Sequence, residues 1–329
     1  MFPEPPDLAA PASGSPGDWY AEMQATWRLG LHQIGARRAV DALRAMRGDD
    51  GGIRASAECW AARHLGALGR FEEAVVHAGN GLARVAGDSS VLRAQLLSVL
   101  ALCLSELGRN SEALPHAQAA HALGIELDSP VVQAVALLRI GLCRWRMGGA
   151  ASAEPEFFLA LSLAREARDR EEVRAAFNGL VGVAIAAHDE AKAAGAAEMA
   201  RAALQRACGY AEQAVQNAER NNDMAGLLAS RNNQAKCLTM AGWLPEAEAM
   251  LRDVEAQAAA RGLRMLRLRS RYNLGLLLTQ AGRQSEAGEM RRSIVAMLDE
   301  AEHAPMRLAC AKALERLAPV GDARSAQGG

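Results

Sequence analysis

The 329-residue sequence has few aromatic residues, few prolines and no pattern typical of β-strands. Aromatic side chains make up 4% of the chain, and only 11 residues are proline. No run of alternating Val, Ile, Thr and aromatic residues is present, so strands are not expected. The apolar half of the sequence is dominated by Ala and Leu, which are good helix formers. The composition therefore predicts an all-α chain.

The sequence also lacks an excess of charge of either sign. It contains 37 basic and 38 acidic residues, for a formal net charge of −1. Nucleic-acid-binding domains usually carry a basic excess, so a nucleic acid is not expected as a partner. No stretch approaches the ~18 apolar residues of a membrane span, and the N-terminus does not look like a secretory signal. We therefore expect a cytoplasmic protein with no membrane partner.

No residue pattern typical of catalysis, cofactor binding or metal binding is present. The six cysteines contain no CxxC pair, and the seven histidines are scattered and interpreted as exposed helix residues. A phosphate-binding glycine loop, a Ser-His-Asp arrangement and a paired-carboxylate site are all missing. We therefore expect no enzymatic activity, no cofactor and no metal.

What the sequence does contain is a repeated helical elbow. In Ala101–Leu114 an amphipathic helix ends near Gly108 and a second helix begins directly afterwards. Glycines recur at this place at intervals of 39, 39, 40, 94 and 40 residues; they are Gly30, Gly69, Gly108, Gly148, Gly242 and Gly282. Glycine can adopt the left-handed conformation that ends a helix. The spacing predicts a series of helical hairpins.

The interval of 94 residues is the irregular part of this series. It is predicted to hold one further elbow at Ala187–Asp189, which lacks glycine, followed by 14 additional residues. The segment Glu190–Asn221 is rich in Ala and free of Pro, which predicts a long protruding second helix with possible breaks at Gly195 and Gly209. Two interpretations stay open: a contact for homo-oligomerisation or docking, and a tolerated variation in length.

Small residues flank each elbow at fixed distances. The residue five positions after the elbow is Ala or Gly in every unit, as at Ala74 and Ala113. The residue seven positions before it is Ala or Gly in five units, as at Ala62 and Ala101. Antiparallel helices approach closely only where no large side chain intrudes. Each unit is therefore predicted to be a tight hairpin that buries its remaining apolar surface against its neighbours.

These elbows resemble tetratricopeptide repeats. The resemblance extends over roughly residues 17–301 and is clearest in four segments: Leu68–Ala74, Leu107–Ala113, Asn273–Gly275 and Ala281–Ala287. The period of about 40 is longer than the family's 34 residues. Arrays with such longer units are similar to those of bacterial regulatory and sensor proteins. HEAT-like repeats share this length but do not explain the elbow.

The resemblance implies a right-handed superhelix, an α-solenoid, of about seven hairpins over residues 17–318. A helix at Met306–Leu317 is expected to cap the last hairpin, because a final repeat otherwise exposes its apolar face. Residues 1–16 are rich in Pro, Gly, Ser and Ala and are predicted to be disordered. Residues 319–329 are predicted to be a flexible tail.

The resemblance also implies binding of a protein or peptide. In that family the first helices of the hairpins line a concave groove, and one recurring position on them commonly faces the ligand. The candidate groove residues on this chain are Arg139, Asn233 and Asn273, with Asn178 one residue away, and Arg146, Arg231, Lys236 and Arg269 extending the surface. Asparagine both donates and accepts hydrogen bonds, and arginine binds carboxylates, so an acidic segment fits this surface. A solvated polar face is the alternative.

Two functions are compatible with these features. The favoured one is a non-enzymatic, regulatory binding scaffold. The alternative is a sensor module that controls a separate or missing effector, such as a diguanylate cyclase or a transcription regulator. The sequence contains no GGDEF-like motif, so such an effector would lie outside it.

Two further features receive structural interpretations. Cys103, Cys143 and Cys237 each lie five residues before an elbow glycine. Packing as small apolar side chains is favoured over redox sensing for all three. The basic run Arg261–Arg271 is interpreted as solvated surface, because acidic residues lie near it in the sequence.

Overall fold

The computed structural model describes residues 16–46, 51–300 and 304–317. Within these ranges the chain forms fifteen α-helices and no strand. The helices are α1 (Pro16–Arg28), α2 (His32–Ala45), α3 (Gly51–Ala67), α4 (Phe71–Arg84), α5 (Val91–Glu106), α6 (Asn110–Glu126), α7 (Pro130–Gly148), α8 (Glu154–Glu166), α9 (Arg170–Ala193), α10 (Ala197–Arg220), α11 (Met224–Ala241), α12 (Leu244–Ala260), α13 (Arg264–Gln280), α14 (Gln284–Asp299) and α15 (Ala304–Arg316).

Consecutive helices pair into hairpins, from α1–α2 to α13–α14, and α15 packs against α13 and α14. The predicted α-solenoid of tetratricopeptide-like hairpins is confirmed, and α15 lies where the capping helix was expected. The predicted tails fall outside the described residues, apart from Pro16, which begins α1. In the described part of the chain, every helix is too short or too polar to span a lipid bilayer.

At the elbows, a glycine in the left-handed conformation ends the first helix of the hairpin. Gly69 and Gly108 have φ values of 81° and 80°. The N–H group of the next residue donates to the carbonyl oxygen five residues earlier, at 2.9 Å in both Arg70–Leu65 and Arg109–Leu104. This is the bond of a Schellman motif, which satisfies a carbonyl group that the helix end leaves unpaired. The glycine spacing therefore marks real helix ends, except that in the fourth hairpin Gly149, with a φ of 92°, ends the helix in place of the predicted Gly148.

The small residues beside the elbows are buried where the two helices of a hairpin cross. Ala62, Ala74, Ala101 and Ala113 are each 0% exposed. With only a methyl group at these positions, the two helices approach closely and larger neighbours fill the spaces on either side. The sequence prediction of tight hairpins is confirmed at these positions.

The fifth hairpin differs from the prediction. Helix α9 continues without interruption through Ala187–Asp189, and the chain turns at Gly195, whose φ is 71°. Because α9 and α10 are each 24 residues long, the additional length extends both helices. The prediction of one long second helix over Glu190–Asn221 is therefore wrong. Gly195 is the break, since glycine adopts the left-handed conformation without strain, whereas Gly209 lies inside α10.

The chain divides into two compact units, and the boundary falls within α11. Unit 1 is Met1–Ser230 and unit 2 is Arg231–Gly329. The core of unit 1 runs through consecutive hairpins and includes Leu104, Phe157 and Phe177. Unit 2 has its own buried clusters, around Leu251 and Ile294. Each unit therefore buries apolar side chains contributed by several hairpins, as expected of stacked repeats.

Candidate functional site

The first helices of the hairpins form a continuous row in unit 1. Helices α1, α3, α5, α7 and α9 each contact the next member of this row. The end of α1 also reaches the start of α9, where Trp27 Nε1 donates a hydrogen bond to Glu171 Oε1 at 3.0 Å. This contact passes over the three intervening hairpins, so the row curves until its ends meet. We call the surface lined by these five helices the inner face of unit 1.

One end of the inner face is built from aromatic side chains around a guanidinium group. The Cζ atom of Arg63 lies 4.6 Å from the ring centroid of Trp27 and 4.5 Å from that of Trp60. Cation–π contacts of this kind are attractive and hold the guanidinium group over the rings. Arg63 and Trp27 therefore present a positive, aromatic surface beside the α1–α9 contact.

A buried histidine pair supports this aromatic end. The Nδ1 atoms of His32 and His64 lie 3.1 Å apart, and both rings are almost fully buried. Burial, and then the charge of Arg63, lowers the pKa of His32 to about 4. Burial, His32 and Arg63 lower the pKa of His64 to about 3. Both rings are therefore neutral at pH 7, and one donates to the other.

The sequence interpretation of the histidines as exposed helix residues is wrong for His32 and His64. Their isolation in the sequence concealed the pair, since 32 residues separate them and only helix packing brings the rings together. Trp27 and Trp60, which both contact this pair, were the available signal. The rings of Trp27, His32, Trp60 and His64 all lie within ten residues of the elbow glycines Gly30 and Gly69. Such a concentration, in a chain otherwise poor in aromatic residues, indicates a large buried cluster.

Arg139 occupies the middle of the row, on α7. Its Nε atom is shielded from solvent and has no hydrogen-bond partner. Its charge lowers the pKa both of the Cys103 thiol on α5 and of the Glu172 carboxyl group on α9. At both groups burial outweighs this effect of Arg139, so the pKa is raised overall; that of Cys103 is raised to about 12. Arg139 is therefore a partly desolvated cation at the position that the sequence assigned to ligand binding.

Glu172 lies in the first turn of α9. Burial, followed by the charge of Glu171, raises its pKa to about 7, while Asp169 acts in the same direction. Arg139 and Arg174 act in the opposite direction but do not compensate. Removal from water disfavours the ionised carboxylate, and a neighbouring negative charge disfavours it further. Sequence reasoning missed Glu172, because its spacing from Arg139 matches no motif.

Two other predicted groove residues of unit 1 are used to join helices. Arg146, at the end of α7, donates to the Ser105 carbonyl oxygen and to Glu106 Oε1, the latter at 2.7 Å. Asn178 donates to Ser230 Oγ at 3.0 Å and so connects α9 with α11. These side chains hold neighbouring first helices in register.

The remaining predicted groove residues lie in unit 2. Asn273 is 7% exposed and donates to Asn232 Oδ1 at 3.2 Å. Arg231 pairs with Asp253 at 3.0 Å, Asn233 and Lys236 are half-buried, and Arg269 is exposed on α13. Asn273 thus pairs with Asn232, the neighbour of the predicted Asn233. Whether these residues bind a ligand remains a prediction.

Two arginines of the basic run bond an acidic side chain, and the three predicted packing cysteines are buried. Arg267 and Arg271 both donate to Glu255 Oε1 at 2.9 Å. Cys103, Cys143 and Cys237 are at most 1% exposed. Among the described residues, no group of three or more His, Cys, Asp or Glu side chains could hold a metal ion. The inner face of unit 1, with Arg63 and Arg139 on two of its helices, is the candidate site.

Comparisons with known proteins support the fold assignment. No protein-family model matches the sequence, and no curated protein matches it significantly. A Rap protein complexed with Competence and Sporulation Factor is similar over 90% of this chain and 75% of that one, at a TM-score of 0.66 and 14% identity. The apo form of RapI is similar over 92% of this chain and 99% of that one, at a TM-score of 0.56 and 12% identity.

Identities this low show a shared fold only. The elbow geometry and the likeness to these helical-repeat structures agree with the tetratricopeptide resemblance found in the sequence. By its fold, the chain is a tetratricopeptide-like helical-repeat protein.

Proposed function

We propose that the protein is a non-enzymatic scaffold that binds a peptide or an extended protein segment on the inner face of unit 1. The observation that supports this most directly is Arg139, a cation whose Nε atom is shielded from solvent and lacks a hydrogen-bond partner. Buried cations are normally paired, because desolvation without a partner is costly. A ligand carboxylate beside the half-buried Arg139 side chain would balance this charge.

The shape and chemistry of the inner face favour an acidic, extended ligand. The row of first helices curves around it, and the Trp27–Glu171 contact joins its two ends. Arg63 and Arg139 provide positive charge, and the half-buried ring of Trp27 provides aromatic surface. Aromatic and arginine side chains dominate the energetics of many protein interfaces. The structural likeness to a Rap protein complexed with a factor also supports a binding role.

The proposal includes a regulatory role in a bacterial cytoplasm, with no nucleic acid and no membrane as partner. The near-balance of charge supports the exclusion of nucleic acid. Arg146 and Asn178 enter the proposal as residues that hold the row of helices in shape, because their polar atoms are bonded to neighbouring helices. Arg139 is the residue on which direct ligand contact is proposed.

The experiment is a selection of binding peptides from a random dodecapeptide library on the full-length protein. The affinities of recovered peptides are then measured for the wild type and for Arg139→Met. A charge-assisted hydrogen bond contributes about 1.5–3 kcal/mol, so losing Arg139 should weaken binding roughly 10- to 100-fold. Met retains most of the apolar stem and therefore limits the loss of packing.

Arg206→Met is the matched control. Arg206 is an exposed arginine on α10, a second helix, so the same change of charge occurs away from the inner face. This variant should bind like the wild type. Equal affinity of the wild type and Arg139→Met for every recovered peptide would refute the proposed site, provided that circular dichroism shows both to be folded.

A further inference from the structure

The hydrogen bond between Trp27 and Glu171 joins the two ends of the inner face. Trp27 lies in the last turn of α1 and Glu171 in the first turn of α9, and the Nε1–Oε1 distance is 3.0 Å. The two residues are 144 positions apart in the sequence. Both side chains are half-buried, so water has partial access to the bond. A contact of this kind can form and break without exposing a buried core.

The Trp27 side of the contact is positioned by the first two hairpins. The Trp27 ring centroid lies 4.9 Å from that of His32 on α2 and 5.6 Å from that of His64 on α3. The Cζ atom of Arg63, also on α3, lies 4.6 Å from the same ring. These partners all belong to α2 and α3, so they hold the indole in place whether or not α9 is in contact.

The Glu171 side of the contact is positioned by the start of α9. The Asp169 carboxylate accepts the backbone N–H groups of Glu171 and Glu172, at 3.0 and 3.2 Å. Such an N-cap fixes the first helical turn. Helix α9 itself packs against α7, α8 and α10. Both sides of the contact are therefore formed independently of each other, and the two ends can separate while each keeps its own packing.

We propose that the Trp27–Glu171 hydrogen bond is a latch that holds the inner face closed, and that an extended peptide binds after α1 has separated from α9. A peptide lying along the row from α1 to α9 reaches the place where Trp27 and Glu171 meet, so the latch and the ligand compete for it. Helices at the end of a repeat array open at a lower free energy than those inside it. This inference rests on the proposed function and assigns the inner face a conformational control.

A latch has a kinetic consequence opposite to that of a ligand contact. When a ligand binds one conformation, its apparent affinity is reduced by the fraction of the protein in that conformation. Weakening the latch therefore raises the open fraction and tightens binding, whereas removing a ligand contact weakens binding. Trp27→Phe removes the indole donor, keeps an aromatic ring beside Arg63 and changes no charge. Because hydrogen bonds to charged groups contribute about a factor of ten or more, the association rate constant should rise about tenfold. The dissociation rate constant should not change, since the latch is already open in the complex.

The test measures association and dissociation rates of peptides from the dodecapeptide selection on the full-length protein, by surface plasmon resonance. Trp60→Phe is the matched control, because it makes the same change to the other ring beside Arg63, outside the latch. It should leave both rate constants unchanged. Glu171→Ala removes the acceptor and also a charge, so it is used as a background. In that background Trp27→Phe should have no further effect, since the bond is already lost.

A second measurement follows the latch directly. Arg28 and Glu166 are exposed residues close in sequence to Trp27 and Glu171, and both can be replaced by cysteine and spin-labelled in a Cys208→Ser background. Pulsed electron paramagnetic resonance should give one distance between the labels without peptide. A second, longer distance should appear on addition of peptide and, without peptide, in Trp27→Phe.

The outcomes separate this inference from the proposed function. Faster association in Trp27→Phe that is absent from Trp60→Phe and from the Glu171→Ala background would support both. Peptides that depend on Arg139 but associate no faster with Trp27→Phe, or equally faster with Trp60→Phe, would overturn the latch and leave the binding scaffold in place. A label distance that peptide does not change would do the same. Recovery of no binding peptide would overturn both.

Discussion

Replacement of Glu172 by glutamine removes a carboxylate whose ionisation the folded protein resists. Its pKa is raised from 4.5 to about 7, mainly by burial and by Glu171. Between these two pH values the folded state binds more protons than the unfolded state, so wild-type stability falls as the pH rises. Below pH 4.5 Glu172 is protonated in both states and does not lower the free energy of unfolding. Above pH 7 it is ionised in both states, and the full destabilisation persists.

The size of the effect follows from the same pKa. One pKa unit corresponds to about 1.4 kcal/mol, so a rise from 4.5 to about 7 makes ionised Glu172 unfavourable by on the order of 3 kcal/mol. Glutamine has a similar shape and does not ionise. In a unit of this size, 1 kcal/mol shifts Tm by roughly 2–4 °C. Glu172→Gln should therefore raise Tm by about 6 °C or more at pH 8 and leave it unchanged at pH 4.

The assay is thermal unfolding followed by far-UV circular dichroism at both pH values. Glu166→Gln is the control, because Glu166 is an exposed carboxylate on α8 of the same unit. It should change Tm little at either pH. A lower Tm of Glu172→Gln at pH 8 would refute the reasoning, since attraction to Arg139 would then outweigh desolvation. Equal changes at pH 4 and pH 8 would show that packing, and not ionisation, sets the effect.

Two further predictions concern packing and thiol reactivity. A Cβ atom on Gly182 would overlap the ring of Trp145, whereas one on Gly209 meets nothing within 4 Å. Gly182→Ala should therefore destabilise the protein by about 1–3 kcal/mol, whereas Gly209→Ala should stabilise it by up to about 1 kcal/mol. Urea titrations measure both changes, and the opposite order of stabilities would contradict the packing. Cys208 is half-buried, while the other cysteines are buried and burial raises the pKa of Cys59 to about 11. Ellman's reagent should therefore modify one thiol quickly in the folded protein, and Cys208→Ser should abolish this fast reaction. A second thiol that reacts quickly would contradict the burial of the other cysteines.

The repeat could be predicted because its signals are local. A glycine that ends a helix leaves a mark at one position, and the small residues at the crossing lie within seven positions of it. Gly69, Ala62 and Ala74 form one such set, and the structure places all three as expected. Helix ends and close crossings depend on backbone conformation and side-chain volume, which single residues determine.

The fifth hairpin could not be placed correctly by the same reasoning. Between Val181 and Gly195 the sequence is rich in Ala and contains neither Gly nor Pro after Gly182. Nothing in such a stretch ends a helix, so α9 continues until Gly195 permits a turn. The expected period of about 40 residues was the weaker indicator, because a hairpin can lengthen by adding turns to both of its helices.

The candidate site was predictable only in part. The repeat position identified Arg139 from the sequence alone, but Glu172 lies on the next first helix and gains its raised pKa from burial. The His32–His64 pair and the Trp27–Glu171 contact likewise join residues from different hairpins. Asn273 was assigned to ligand binding by its position, yet its amide bonds Asn232 in the interior of unit 2.

The sequence by itself determined that this protein is a series of tetratricopeptide-like hairpins, where most of them turn, and which small residues let their helices cross. Only the tertiary structure decided which polar groups face one another. Hairpin formation depends on residues close together in the chain, whereas desolvation and charge pairing depend on how separate hairpins stack. Arg139 is therefore visible in the sequence as a candidate, but the burial of its unpartnered Nε atom and its effect on the pKa of Glu172 are properties of the stacked helices.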